Sequence, residues 1–515
     1  MAKKSIKTSR RIADAKMLKM RSGTIYLSDS GTLITPYDKG QCPYLEFQTS
    51  EFDPIRHKHE EVSGFFNEED HEFATYSFSE KELIPKFPNY EFVRVYGQKG
   101  NPIVNKFDIR EGFEFTDTQN AILANSIRSL SDSKSVFINL PTGVGKTVMT
   151  LELLSHIGKK AIIITYSVKI LKQWQEELYS TTTACENSTL LIESSAQIDA
   201  IMEDRVKGLD LNKIDIFLIT TSLITSYCSS HGWHELCKVF KKLGIGVKVV
   251  DEAHRRFSTT VKVNSYAPVQ YNIYLSADFN QATFTRRKHF FSAFRKVPVI
   301  SIDKQEMENF KHINAVVCEY SSKPSVAEQA VVVQNAYNWN LFLFSEYEFN
   351  KGKSFKIVKN IVHNILNSYK ENEMHYKILI LESKTSHVDS WTEKLREEFP
   401  GVSIGRYHND MPDSEKEETL DCEIIVSTYQ SFSTAINIIN PKIRHCISTV
   451  PVDIISHNQA AGRCRQIPNM WSFYWLLVDV DFEYPIKNLT RTLQYLQKSK
   501  IGRITHYTMK DEDDE

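Results

Sequence analysis

The stretch Val136-Phe-Ile-Asn-Leu-Pro-Thr-Gly-Val-Gly-Lys-Thr147 decides how the chain is organised. Residues 136–140 are mostly apolar and predict a buried parallel strand. Pro141 ends this strand, because it cannot donate to the ladder. Gly143 and Gly145 let the backbone turn tightly, so that several amide groups point into one small space. The stretch therefore predicts a strand followed by an anion-binding turn.

The residues after this turn extend the prediction to a nucleotide triphosphate. Lys146 can reach the β- and γ-phosphates, and Thr147 offers a hydroxyl to Mg²⁺. The run 148–154 predicts a helix whose positive N-terminal end faces the same anion. Leu140 departs from the general phosphate-loop pattern, which has Gly there. We expect seven consecutive residues to bind the nucleotide: Pro141, Thr142, Gly143, Val144, Gly145, Lys146 and Thr147.

Length and composition are those of an ordinary globular protein. The 515 residues are 41% hydrophobic and 25% charged, with a net charge of −1, so any nucleic-acid surface must be a local patch. The eight cysteines contain no CxxC pair and predict buried, reduced thiols. No apolar run is long enough for a membrane helix, and the N-terminus lacks the apolar segment of a secretory signal. We therefore expect a soluble cytoplasmic protein that contacts no membrane.

The pattern of the chain predicts several segments. Apolar strand-like runs alternate with helical patterns over 111–300 and again over 371–485, which predicts two α/β domains with parallel sheets covered by helices on both faces. Short irregular strands before them predict a small α+β or β-rich module. The predicted segments are a basic arm at 1–22, the module at 23–110, the first α/β domain at 111–300, a connecting region at 301–370, the second α/β domain at 371–485 and a C-terminal segment with an acidic tail at 486–515.

A second motif, Val249-Val-Asp-Glu-Ala-His254, places two adjacent carboxylates after an apolar strand. Asp251 can hold Mg²⁺, directly or through water, and Glu252 can orient and deprotonate an attacking water. His254 would link this site to the rest of the protein. Four letters alone are a weak signal, but their position after a strand and downstream of a phosphate loop makes a chance surface cluster the poorer explanation.

Taken together, these motifs resemble superfamily 2 helicases and translocases of the DEAH/DEAD type. The resemblance implies two tandem RecA-like domains, ATP and Mg²⁺ as cofactors, and a nucleic-acid partner. The shorter Pro-Thr-Gly-x-Gly-Lys-Thr loop is the form that such ATPases use, which accounts for Leu140. Phe115-Thr-Asp-Thr-Gln119 is similar to the segment in which a glutamine reads the adenine edge, and an amide offers the paired donor and acceptor that this requires.

Further segments resemble the motifs that hold a nucleic-acid strand. Each follows a predicted strand, where hydroxyls and helix N-termini can bind phosphates. Ordinary helix capping by Ser and Thr explains each residue equally well when it is taken singly. The candidates are Thr165 and Ser167 in motif Ia, Thr220 and Thr221 in motif Ib, Ser383 in motif IV and Thr428 in motif V.

The most specific motif of the second predicted α/β domain lies at 459–465. Gln459-Ala-Ala-Gly-Arg-Cys-Arg465 resembles motif VI, in which an arginine stabilises charge on the γ-phosphate. Arg463 occupies the position of the arginine in the Gly-Arg of the family motif without any shift, so it is the first candidate for this arginine finger. Arg465 is the second candidate. Three positions depart from the family pattern: Asp278 at the end of motif III, Ala435 in motif V, and Gln466, which takes the place of the usual final arginine.

The resemblance implies an ATP-dependent helicase or translocase, and the layout is similar to phage recombination and repair helicases and to DNA-virus helicases. It favours duplex or branched DNA over RNA, in replication, recombination, repair or transcript release, and a monomer. Two alternatives stay open. One is an RNA helicase, and the other is a nucleic-acid-binding module whose ATPase has degenerated at the three departures.

Overall fold

The structure, a computed structural model, forms two units, Met1–Ile302 and Asp303–Glu515. It describes residues 23–42, 45–46, 48–53, 58–63, 66–67, 70–141, 144–206, 208–276, 290–302, 308, 311–335, 338–339, 341–433, 441–467, 469–497 and 500–508. The predicted basic arm and the acidic run 511–515 lie outside these residues.

The first unit is built on a parallel sheet whose strand order is β10-β11-β9-β12-β13-β8-β14. The crossovers between neighbouring strands are what a doubly wound α/β sheet requires. Its strands are β8 (Ser135–Asn139), β9 (Ala161–Thr165), β10 (Thr189–Leu191), β11 (Ile216–Thr220), β12 (Val247–Val250), β13 (Tyr271–Ser276) and β14 (Val299–Ser301). β8 matches the strand predicted at 136–140 to within one residue at each end.

Helices connect these strands. Most begin at a residue that the sequence marks as a cap or a turn, such as Ser167 before α4. In this unit the named helices are α1 (Glu80–Leu83), α2 (Asp117–Ser133), α3 (Lys146–Ile157), α4 (Val168–Thr181), α5 (Ser195–Met202), α6 (Thr221–His231), α7 (Trp233–Leu243) and α8 (Phe257–Tyr266). Residues 290–294 are also helical, and Glu186–Ser188 form a short 3-10 helix.

The predicted N-terminal module forms a sheet of order β5-β6-β2-β1-β7 and a separate hairpin, β3–β4. The strands are β1 (Thr24–Leu27), β2 (Thr32–Thr35), β3 (Gln48–Asp53), β4 (Lys58–Ser63), β5 (Phe66–Asn67), β6 (Glu72–Thr75) and β7 (Glu91–Arg94). Its buried residues, among them Ile25 and Phe73, belong to the same hydrophobic core as Phe257 and Tyr274. The sequence-based boundary at 110 therefore does not separate two cores.

Residues 97–110 run across the amino ends of the first sheet. Gln98 bridges to Val269 before β13, and Asn101 N donates to Gly244 O before β12 at 2.8 Å. Ile103 N then donates to Gly158 O before β9, and the buried carboxylate of Asp215, before β11, accepts from Val104 N at 2.7 Å. The segment follows the order of the strands in the sheet, so it fastens the module to the α/β domain.

The second unit is built on another parallel sheet, of order β19-β20-β18-β21-β22-β15-β23. Its strands are β15 (Ile313–Tyr320), β18 (Lys377–Glu382), β19 (Ile404–Tyr407), β20 (Ile424–Thr428), β21 (Ile443–Ser448), β22 (Ser472–Asp479) and β23 (Ile501–Thr508). A short antiparallel pair, β16 (Val333–Asn335) and β17 (Asn338–Trp339), stands apart from it. The two parallel sheets with their helices confirm the predicted fold class of tandem RecA-like domains with a small N-terminal module.

Two predicted boundaries of this domain are wrong. β15 lies in the predicted connecting region 301–370, and β23 lies in the predicted C-terminal segment 486–515, yet both pair within the second sheet. β15 is buried along almost its whole length, because β22 and β23 flank it. β23 is an edge strand with mostly exposed side chains, so its sequence lacks the apolar run of a central strand.

Helices cover both faces of the second sheet with two hydrophobic clusters. Among the described residues they are α9 (Val326–Val332), α10 (Leu341–Asn350), α11 (Ser354–Glu371), α12 (Thr385–Glu398), α13 (Asp413–Leu420), α14 (Tyr429–Ser433), α15 (Ile454–Ala461) and α16 (Glu483–Leu496). Within the described ranges, no helix combines the length and the apolar character needed to cross a bilayer.

Candidate nucleotide and nucleic-acid site

The predicted site residues of the first unit converge on the carboxyl edge of its sheet. The phosphate loop follows β8, the Asp-Glu-Ala-His box follows β12, and Ser276 ends β13, which lies between them. Asp251 N donates to Ile164 O of β9 at 2.9 Å, and Ala253 N donates to Leu275 O of β13 at 2.9 Å. The box is therefore held between its two neighbouring strands, at the edge where ligands of open α/β sheets bind.

The phosphate loop adopts the tight geometry that its glycines predict. Gly145 precedes α3 with φ of +89°, a left-handed conformation that favours glycine. Lys146 Nζ donates to Leu140 O at 2.8 Å, so its ammonium lies across the loop. Thr147 is half-buried in the first turn of α3, while Pro141 and Val144 are buried. Thr142 and Gly143 lie outside the described residues.

Gln119 lies against this loop. Its Oε1 accepts from Thr116 N at 2.9 Å and its Nε2 donates to Val144 O at 2.9 Å. A Cβ on Gly145 would approach Gln119 Nε2 to 2.7 Å, which is a second reason for glycine there. The amide therefore ties the start of α2 to the phosphate loop. Its reading of adenine remains a prediction, and it would require the same two amide atoms.

Asp251 has a hydrogen-bond partner that the motif alone does not reveal. Trp174, buried on α4, donates its indole Nε1–H to Asp251 Oδ2 at 2.9 Å, and Glu252 N donates to Oδ1 at 2.9 Å. Burial, together with the neighbouring charge of Glu252, raises the pKa of Asp251 to about 6, and the positive charge of Lys146 opposes this rise. The sequence offers one signal, an apolar face on α4 that carries Trp174 at helical spacing.

Glu252, His254 and Ser276 form a small polar cluster. His254 Nδ1 lies 2.8 Å from Ser276 Oγ and 3.2 Å from Glu252 Oε2. Glu252 has φ of +48° and Arg256 has φ of +41°, conformations that cost non-glycine residues roughly 1–3 kcal/mol each. His254 therefore contacts Ser276, the first residue of the predicted motif III at 276–278. A link from this site to the rest of the protein stays a prediction. Asp278, at the end of this motif, lies outside the described residues.

These residues fit a nucleotide with Mg²⁺. Thr147 and Asp251 are the predicted metal ligands, and Mg²⁺ typically takes one or two protein oxygens, with phosphates and waters completing the octahedron. No group of three or more His, Cys, Asp or Glu side chains among the described residues could hold a metal ion on its own. Such a group is not needed where phosphates supply the remaining ligands.

Tyr166 and Arg255 meet beside this cluster, a contact that sequence analysis missed. The Arg255 guanidinium lies 4.3 Å from the centroid of the Tyr166 ring. Tyr166 stands between the predicted nucleic-acid contacts Thr165 and Ser167, and Arg255 directly follows the box. The contact joins the segment after β9 to the segment after β12.

The predicted nucleic-acid residues of the first unit largely serve as local caps. Thr165 Oγ1 donates to Ser167 O at 2.9 Å, and Ser167 Oγ accepts from Ile170 N at 3.4 Å at the start of α4. Thr220 Oγ1 accepts from Leu223 N at 3.1 Å and so caps α6. Thr221 is buried, and its hydroxyl has no hydrogen-bond partner among the described residues. The capping alternative holds for these helices, and contact with nucleic acid stays a prediction.

The two candidates of the second unit lie at the carboxyl edge of its own sheet. Ser383 follows β18, and its hydroxyl contacts that of Ser345. Thr428 ends β20, where its Oγ1 accepts from Ser431 N at 3.1 Å and donates to Ser431 Oγ at 2.8 Å. Thr428 thus caps α14. Ala435, in the same predicted motif, lies outside the described residues.

Motif VI lies on and after α15. Gln459 is half-buried on this helix, and Arg463 follows it, with its charge close enough to Tyr407 to oppose the rise in pKa that burial causes there. Burial lowers the pKa of the Arg465 guanidinium. Its backbone pairs with Ile443 O and with the Ser472 hydroxyl. Arg463 and Arg465 therefore have different surroundings within this unit.

Comparisons with known proteins agree with this arrangement. Residues 112–281 match the family described as "Type III restriction enzyme, res subunit". A solved structure of S. cerevisiae Dbp5 bound to RNA and ADP BeF3 is similar, with a TM-score of 0.51 and 13% identity over 76% of this chain and 90% of that one. A variant of Dbp5 in the same bound state gives a TM-score of 0.51 and 12% identity, over 76% and 91%. No curated protein matches the chain. The Dbp5 likeness supports the tandem fold.

Proposed function

We propose that the protein is an ATP-dependent nucleic-acid motor, a helicase or translocase of superfamily 2. The observation that carries the proposal is the convergence of Lys146, Asp251 and Glu252 on one sheet edge, with His254 linking Glu252 to Ser276. The family match over 112–281 and the tandem fold support the same conclusion. A kinase or GTPase would need neither a second α/β domain nor motif VI.

In this proposal each residue of the site has its own role in ATP hydrolysis. The amides of 141–147 and the Lys146 ammonium bind the phosphates, and Thr147 and Asp251 hold Mg²⁺, which neutralises charge on the β- and γ-phosphates. Glu252 orients the attacking water and accepts its proton. Gln119 selects adenine with the amide that also anchors the loop. We include Gln459 among the catalytic residues because it belongs to motif VI.

The second α/β domain supplies the missing positive charge. An arginine finger is worth about 10³–10⁵ in rate, because it stabilises the charge that develops on the γ-phosphate. We assign this role to Arg463 and a mainly structural one to Arg465. Thr165, Thr220 and Thr428 end strands, and Ser167, Thr221 and Ser383 follow strand ends closely. In each domain these residues would form that domain's contacts with the nucleic acid, which we call the track.

DNA is the proposed substrate, because the motif pattern is similar to phage recombination and repair helicases and to DNA-virus helicases. Its role would then lie in replication, recombination, repair or transcript release. RNA is the second candidate, since the similar Dbp5 structures contain RNA. A monomer suffices for either substrate, because one chain carries both α/β domains.

Stimulated ATP hydrolysis tests the proposal. Hydrolysis by the wild type is measured with single-stranded DNA, duplex DNA, forked DNA and RNA, beside Lys146→Ala and Glu252→Gln. We expect a DNA substrate to stimulate the wild type most and neither variant to respond. RNA as the strongest activator would replace DNA as the substrate. Wild-type turnover no higher than that of the variants on every substrate would favour the binding module with a degenerate ATPase.

A further inference from the structure

A groove of about 480 Å³ lies where the N-terminal module meets the first α/β domain. It is lined by residues of the module and by the segments that precede β8 and β13, namely Asp29, Ser30, Tyr96, Gly97, Lys99, Lys134, Pro268, Val269 and Gln270. Because the strands are parallel, these segments mark the amino edge of the sheet. The groove therefore lies at the opposite edge from the phosphate loop and the Asp-Glu-Ala-His box.

An aromatic ring and two ammonium groups line this groove. Tyr96 is 80% exposed, which is unusual for a large aromatic side chain without a ligand or partner. Lys99 is also exposed. Lys134 Nζ donates to Ser131 O at 2.8 Å and lies 5.5 Å from the centroid of the Tyr271 ring. This contact steadies Lys134 while the ammonium retains further N–H donors.

The walls of the groove are rigid. A Cβ on Gly97 would come within 2.4 Å of Val269 O, so the two backbones are in close contact. Gln98 N donates to Pro268 O at 3.0 Å, and Gln270 N donates to Gln98 O at 2.9 Å. Asn272 N donates to Lys134 O at 2.9 Å. Tyr96 and Lys134 thus stand next to backbone that is already fixed, which lowers the entropic cost of binding.

The charge of this region favours an anion. Asp29 is the carboxylate among the lining residues, and Arg94 neutralises it at 2.5 Å. No described carboxylate lies within 4 Å of the ammonium of Lys99 or Lys134. The lining holds two lysines and one aspartate, and that aspartate is already paired. The groove itself therefore carries a net positive charge.

We propose that this groove binds single-stranded nucleic acid, with one base stacked on Tyr96 and backbone phosphates at Lys99 and Lys134. An exposed aromatic ring beside fixed cations is the arrangement by which proteins hold unpaired strands without reading their sequence. A duplex would not offer the face of a base to Tyr96. This proposal rests on the proposed motor function, because the groove would be a second contact for the same strand. The groove lies away from the track residues at the carboxyl edge of the sheet.

Photocross-linking of the full chain tests the groove. Oligonucleotides with 5-iodouridine, as single-stranded DNA and as single-stranded RNA, are irradiated with the protein, and the cross-linked peptides are identified by mass spectrometry. We expect a cross-link in the segment 95–99. It should persist in Tyr96→Phe, which keeps the ring, and fall at least about five-fold in Tyr96→Ala, because stacking is lost.

The salt dependence of binding tests the two lysines. Each phosphate contact adds about 0.7 to the slope of log affinity against log salt for a single strand, so Lys99→Gln with Lys134→Gln should lower that slope by about 1.4. The matched control, Lys213→Gln with Lys238→Gln, removes two lysines that already pair with acids on the same unit. We expect its slope to equal that of the wild type.

The outcomes separate this inference from the motor function. A cross-link at 95–99 without stimulated ATP hydrolysis would support the groove and contradict the motor. Absence of that cross-link with both DNA and RNA, or an unchanged salt slope in the Lys99 and Lys134 variant, would overturn the groove even if hydrolysis is stimulated. The DNA and RNA arms show which kind of strand it takes.

Discussion

The indole of Trp174 connects the helix after the predicted track residue Ser167 to the predicted metal ligand Asp251. Trp174 lies on α4, the helix that Ser167 caps, and it donates directly to Asp251 Oδ2. Any displacement of α4 by a bound strand would therefore reach the carboxylate through one hydrogen bond. Because the bond fixes the orientation of the carboxylate, we interpret Trp174 as a positioning residue.

Replacement of Trp174 by Phe tests this role. The variant keeps an aromatic ring but loses a hydrogen bond to a charged group, a bond worth about 1.5–3 kcal/mol, so kcat should fall roughly ten-fold or more. The concentration of Mg²⁺ needed for half-maximal hydrolysis should rise, because Asp251 is less well oriented. Magnesium titration of ATP hydrolysis measures both effects.

The matched control is Trp391→Phe, since Trp391 is equally buried in the second unit. Both variants should lose a similar stability, roughly 1–3 kcal/mol, from the smaller side chain. If the two variants show the same magnesium dependence, Trp174 acts through packing alone.

At the scale of elements, α8 joins the Asp-Glu-Ala-His box to the N-terminal sheet. It begins three residues after His254, and its buried residues pack on β2 and β6, with Tyr76 and Phe257 in ring contact. Glu72, buried on β6, accepts from Tyr266 OH on α8 at 2.7 Å and lies 2.9 Å from His234 Nε2 on α7. The module is thus fastened to the two helices that flank the box.

The contact between Glu72 and His234 predicts a dependence of stability on pH. The hydrogen bond to Glu72 raises the pKa of His234 above its ordinary value of 6.5. Protonated His234 therefore stabilises the fold below that value, and the contribution is lost as the pH rises through the raised pKa. We expect the difference in Tm between wild type and His234→Gln to be larger at about pH 6 than at about pH 8.5.

His363→Gln is the control, because His363 is exposed on α11 and contacts the uncharged Asn367. Because this variant removes no contact with a carboxylate, it shows how much of the change comes from replacing a histidine with glutamine. The effect at His234 will be modest, since that side chain is 56% exposed. A difference for His234→Gln that does not shrink with pH would contradict the ion pair.

At the scale of the whole molecule, the proposed catalytic residues belong to two α/β domains. The first carries the phosphate loop and both carboxylates, and the second carries Arg463 and Arg465. The desolvation of Arg465, together with the hydrogen bonds of its backbone, indicates a residue that supports the fold of its own domain.

Alanine substitutions in the full chain separate the two arginines. Arg463→Ala should lower kcat about 10³-fold or more while ATP binding changes little, because the finger acts in the transition state. Arg465→Ala should chiefly lower the Tm. Stimulated hydrolysis and equilibrium binding of ATP measure the effects. The reverse pattern would move the finger to Arg465.

Many strands and the phosphate loop could be predicted, because short stretches of sequence determine them. The apolar runs of β8, β9, β11 and β12 and the glycines of the phosphate loop are local signals, so their positions follow from the sequence. β15 and β23 could not be placed, because membership of the second sheet depends on pairing between residues far apart in the chain. The bond between Trp174 and Asp251 joins residues 77 positions apart. The apolar face of α4 predicts that Trp174 is buried, but it does not predict the partner of the indole.

Movement along nucleic acid is the most direct test of the central claim. Streptavidin is bound to the end of a biotinylated oligonucleotide, as DNA and as RNA, and its release by the full chain is followed with ATP, with a non-hydrolysable analogue and with Glu252→Gln. We expect release that requires ATP and an intact Glu252, with DNA the better substrate. Release that is equal with the analogue, or absent on every substrate while ATP is hydrolysed, would contradict a motor.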